Sequence, residues 1–68
     1  MKYRYYMLFR PPMPGAIPKG ACEVVDFPDK RYCPEVDRTA WGYVEYEQPL
    51  SPQEVVRYEM AVAGSRVQ

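Results

Sequence analysis

Apolar and polar positions alternate along Lys2 to Arg10. Tyr3, Tyr5, Met7 and Phe9 fall on one face of an extended chain; Lys2, Arg4, Tyr6, Leu8 and Arg10 fall on the other. A period of two with this aromatic content predicts a strand over about 2–10. The first face is wholly apolar and is expected to meet the core. The second interleaves cations with Tyr6 and Leu8 and is expected to be half covered. Four prolines come next, between Pro11 and Gly20. They remove four backbone donors and fix φ, so this stretch is expected to be an ordered, extended loop. Pro11 and Pro14 form a bare P-x-x-P, but no basic residue lies at the position where an SH3 ligand usually needs one.

Ala21 to Phe27 predicts a second strand, and Pro28-Asp29-Lys30-Arg31 a turn. Tyr32 to Asp37 is broken by Pro34 and reads as loop with edge pairing left open. Thr39 to Glu47 is the clearest strand, rich in rings and β-branched residues. Gly42 leaves a gap there, beside Trp41, that a neighbouring ring could fill. The last element carries every helix-start signal. Ser51 is the N-cap, Pro52 takes the first helical position, Glu54 completes a capping box, and Leu50 and Val55 form a hydrophobic staple. With Gly64 as terminator, a helix is expected over about 52–63. The sum is one domain, residues 1–68, of the α+β class: a two-layer β-β-β-α unit with an antiparallel three-stranded sheet and one C-terminal helix. The strands are expected over about 2–10, 21–27 and 39–47. The sheet face away from the helix is open unless the long loops or a partner lie on it.

Composition sharpens this. A chain of 68 residues buries only roughly 60% of its unfolded surface, so large rings matter to its core. Seven tyrosines, two phenylalanines and Trp41 supply them. Formal net charge is zero but uneven: the first twenty residues hold four cations and no acid, while residues 35–59 are acidic. A neutral chain weakens a general DNA-binding reading, because phosphate affinity scales with the cations presented. No signal peptide and no stretch long enough to span a bilayer is visible, so a cytoplasmic location with reduced Cys22 and Cys33 is expected. Their spacing matches no zinc pattern, and a bridge between them would need facing strands.

Catalytic chemistry is thin. There is no histidine, no Gly-rich phosphate loop and no nucleophile elbow. Glu45 and Glu47 share a strand face, a pattern that a solvated strand end also gives. Cys33 lacks a base to activate it. No enzyme activity, no cofactor and no metal site is expected. The basic aromatic strand is the better candidate. Rings interleaved with cations suit single-stranded nucleic acid, and aromatic, Arg-rich patches also suit protein interfaces.

Three stretches carry a resemblance: Arg10 to Gly20, Trp41-Gly42-Tyr43-Val44-Glu45-Tyr46, and Pro49-Leu50-Ser51 through Tyr58-Glu59-Met60. Their order of strand, proline loop, strand and helix resembles a small domain of unknown function associated with large polyvalent proteins and mobile elements of gut and other Firmicute bacteria. The resemblance implies a phage, plasmid or conjugative origin and brings no functional residue with it. Small proteins of such elements often bind a host or defence protein, and the neutral charge disfavours DNA mimicry. The expectation is therefore a non-enzymatic protein-binding module of phage or mobile-element origin acting on a host or defence protein. Lys2, Arg4, Tyr6, Arg10 and Trp41 are its candidate contacts. The alternative is a single-stranded nucleic-acid accessory protein using the same residues. Self-association through the open sheet face is a third option.

Overall fold

The computed structural model describes residues 2–63. It runs β1 (Tyr3–Met7), β2 (Glu23–Cys33), β3 (Arg38–Tyr46), α1 (Pro52–Arg57) and β4 (Met60–Val62). All four strands form one antiparallel sheet in the order β2-β3-β1-β4. The expected sheet had three strands; the fourth is taken from the expected helix. Strand β1 sits between β3 and β4, with Tyr5 opposite both Val44 and Val62.

The helix begins as its sequence dictates. Ser51 Oγ accepts from the Glu54 amide at 3.2 Å, and a Glu54 carboxylate oxygen accepts from the Ser51 amide at 3.2 Å. Such a cap is worth about 1 kcal/mol. The helix stops at Arg57, well short of the expected end at residue 63. Glu59 turns the chain with φ 56°, and Gly64, the expected terminator, lies outside the described residues. Beyond that turn, Met60–Val62 pairs with the free edge of β1. Leu8 donates to the Glu59 carbonyl, and the Ala63 amide donates to the Arg4 carbonyl at 2.9 Å. Satisfying that edge outcompetes two more helical turns that would have been marginal alone.

Two apolar clusters lie on opposite faces of the sheet. The first holds Tyr5, Met7, Val44, Tyr46 and Met60, covered by Ile17 and Ala21 from the proline loop and by Leu50, Val55 and Tyr58 around the helix. Its two buried tyrosines also tie down the covering segments. Tyr46 donates to the Pro18 carbonyl, and the Leu50 amide donates to the Tyr5 hydroxyl at 2.8 Å. The second holds Tyr6, Leu8, Cys33 and Ala40, with Phe27, Val36, Tyr43, Ala61 and Ala63 packed against it. The face expected to be open unless a loop or partner lay on it is thus covered from within the chain. Between Asp26, opposite Gly42, and Arg31, opposite Ala40, β2 carries four residues against Trp41 alone. The expected turn at residues 28–31 is this bulge inside one strand. Bulges bend a strand pair, and the far end of the β2–β3 hairpin brings Cys33 and Val36 into the second cluster. The ambiguous stretch 32–37 divides accordingly: Tyr32 and Cys33 pair with Thr39 and Arg38, and residues 34–37 turn.

The proline loop, expected to be extended, folds back in a turn at Met13–Ala16. The Ala16 amide donates to the Met13 carbonyl at 2.9 Å, and Pro14 bridges to Ile17. The Pro12 ring occupies the space over Gly42 that a side chain would otherwise fill. Phe9 departs from the alternation: it is 60% exposed although its face was expected to be core. Strand β1 ends at Met7, so the period of two no longer governs where Phe9 points.

Candidate functional site

The five residues singled out from the sequence do not form one strip. Lys2 is exposed. Arg4 is held by carboxylates. Its Nε donates to Glu45 Oε2 at 2.8 Å, a terminal nitrogen lies 2.7 Å from the same oxygen, and the other reaches Glu35 at 3.4 Å. The guanidinium also stacks 4.1 Å above the Tyr43 ring. Burial disfavours the Arg4 charge, but hydrogen bonding with Tyr6 and Glu45 outweighs it and holds its pKa above the ordinary arginine value. Tyr6 is buried and donates to Glu35. Burial first, and then the bond to Glu35, push its phenol above the usual tyrosine range, with Arg4 pulling the other way. Tyr6 and Arg4 therefore form part of a brace between β1, β3 and the turn that carries Glu35. Glu45 is spent in that brace, so it does not pair with Glu47 as a carboxylate site.

Arg10 lies elsewhere. It comes after β1 and forms an ion pair with Glu59 at 2.9 Å, across the turn that ends the helix. Trp41 sits on the bulge, half-buried, with the Lys30 ammonium 5.6 Å from its ring. Sequence reasoning found Arg10 but not its surroundings. Arg10 lines an open groove of about 600 Å³ together with Met13, Pro14, Arg57 and Tyr58. Two stretches far apart in sequence, within 10–16 and at 57–58, build this groove, and neither announces it alone. A second recess of about 410 Å³ lies between Lys19, Cys22, Tyr46 and Leu50. Cys22 is exposed and Cys33 buried, and both are free thiols. Among the described residues no helix is long and apolar enough to cross a membrane.

Residues 1–65 match the family described as Defence against restriction A C-terminal. The chain is also 36% identical over 58 residues to the "Defense against restriction protein A" of Escherichia phage P1. That match covers 85% of this chain but 9% of the phage protein, so the chain corresponds to a small part of its relative's length. No solved structure matches. The phage or mobile-element character that the resemblance implied is supported; the association with Firmicute polyvalent proteins finds no support in these matches.

Proposed function

The chain belongs to the Defence against restriction A C-terminal family, and from that premise we propose that it is a non-enzymatic protein-binding module of phage origin. It acts inside the infected cell, against a protein of the host restriction machinery. The observation that carries this reading is the family match along nearly the whole chain, together with the role stated in the name of its phage relative.

The geometry favours a protein partner over nucleic acid. A strand that reads phosphates must present its cations to solvent. Here Arg4 is neutralised by Glu45 and Glu35, and Tyr6 is buried where no base could stack on it. Of the basic aromatic strip, Lys2 and Arg10 are exposed to solvent, and they lie apart from one another rather than in a phosphate-reading row.

Binding between the immobilised chain and purified subunits of a host restriction enzyme tests the reading. Saturable binding that persists between about 50 and 200 mM salt is expected, whereas phosphate-driven binding would fall steeply over that range. The reading fails if no restriction subunit binds, or if single-stranded oligonucleotides bind more tightly than any of them.

A further inference from the structure

Six large apolar side chains are exposed among the described residues: Phe9, Met13, Val24, Tyr32, Val56 and Val62. One of them, Met13, lines the Arg10–Arg57 groove at 51% exposure. Met, Arg and aromatic side chains together are the composition that distinguishes interface cores from ordinary surface.

Charge selects the occupant. The residues lining the groove include two arginines and no carboxylate. Arg57 makes no ion pair among the described residues and rests 6.0 Å from the Tyr58 ring centre. Arg10 is held by Glu59 from outside the lining, at the surface, where such a pair is worth about 0–1 kcal/mol and exchanges readily for another carboxylate. Glu59 has φ 56°, a backbone state in which glycine would be favoured. Its side chain supplies the carboxylate that pairs with Arg10. The opposite wall is the proline loop, fixed by the Pro14–Ile17 bridge and the Met13–Ala16 turn, so little order has to be created on docking.

We propose that this groove docks an extended protein segment that alternates carboxylates with apolar side chains. The carboxylates lie between Arg10 and Arg57, and the apolar groups lie against Met13 and Tyr58. The inference rests on the reading that the partner is a protein and adds the chemistry by which it is held.

The test uses three probes: a synthetic peptide of about ten residues alternating Glu with Leu or Phe, the same peptide with Lys for Glu, and an oligothymidylate. NMR titration tracks the Met13 methyl and the Arg57 Nε–H signals. The acidic peptide is expected to move both and to saturate. Arg57→Glu should weaken it at least about tenfold, since a rim charge is reversed, and Glu59→Gln should tighten it by releasing Arg10. Both positions are exposed, and urea melts confirm that the variants fold. The proposal is overturned if the acidic peptide moves neither signal at millimolar concentration, or if the Lys peptide or the oligonucleotide binds equally well. Restriction-subunit binding that survives Arg57→Glu would sink the groove while leaving the protein-partner reading intact. Acidic-peptide binding without any restriction-subunit binding would do the reverse.

Discussion

Replacing Gly42 by alanine should be among the most damaging single-methyl changes in the domain. An added Cβ would stand 2.2 Å from the Val25 carbonyl oxygen and 2.9 Å from both Cδ and Cγ of Pro12. The ring contacts could relax by a shift of the loop. The carbonyl belongs to the β2–β3 ladder, where Val25 faces Tyr43, and it can move only if those strands part. Overpacking in a core costs typically 1–3 kcal/mol, and a backbone clash belongs at or above the top of that range. A chain of this length has a total stability of about 3–10 kcal/mol. Gly42→Ala is therefore expected to lose about 3 kcal/mol or more. At about 4–8 °C per kcal/mol, that is a Tm drop of about 12 °C or more. Urea and thermal melts monitored by Trp41 fluorescence measure it, with the exposed Thr39→Ala on the same strand as control. The double variant Pro12→Ala, Gly42→Ala should be no more stable than Gly42→Ala, because the carbonyl contact remains. A Gly42→Ala protein within about 0.5 kcal/mol of the parent would refute this account of the β2–β3 approach.

Glu59→Gly removes a left-handed glutamate and one exposed ion pair together; the backbone gain of about 1 kcal/mol should match or exceed the loss, and a urea midpoint that falls clearly would contradict it. Burial pushes the Tyr46 phenol up to about 12, so the proton is held more tightly in the folded state. The associated stability is intact below pH ~10 and drains as pH rises towards 12, by about 2–3 kcal/mol in all, and melts of Tyr46→Phe against the parent should isolate that slope. The two thiols should separate sharply with a thiol reagent: exposed Cys22 reacts at once. Cys33, buried and with its thiol pKa raised chiefly by that burial, reacts only at the rate of unfolding, and equal rates would show that the second cluster is not closed. Arg4→Gln leaves Glu45 half-buried without its cation and should cost about 1–2 kcal/mol, read from the same urea melts.

The sequence was most legible where structure is local. The capping box at Ser51 and Glu54, the alternation through Met7 and the stiff proline loop all depend on residues a few positions apart. Legibility failed where a distant edge decided the outcome. Tyr58, Met60 and Val62 read as the continuation of a helical face, yet the unpaired side of β1 drew Met60–Val62 into the sheet. Pro28 suits a turn, and only the register of β3 turns it into a bulge. The surroundings of the candidate contacts were hidden for the same reason. Alternation put Arg4, Tyr6 and Arg10 on one face, but it could not show that Glu35, Glu45 and Glu59 would come to meet them. Arg57 and Met13 gave no signal, because their groove exists only after α1 and the loop have packed.

The place of β1 in the sheet also governs how the chain must assemble. Its first partner, Tyr3 to Tyr46, lies most of the chain away, and its second edge waits for Val62. On a ribosome the strand emerges well before its partners and stays unpaired until nearly all of them have been made. Distant pairing of this kind places folding on the millisecond-to-second scale rather than the microsecond scale of local hairpins. During that wait Tyr5-Tyr6-Met7-Leu8 is a bare apolar segment, and Arg4, Arg10 and the prolines beyond them act as its gatekeepers against aggregation.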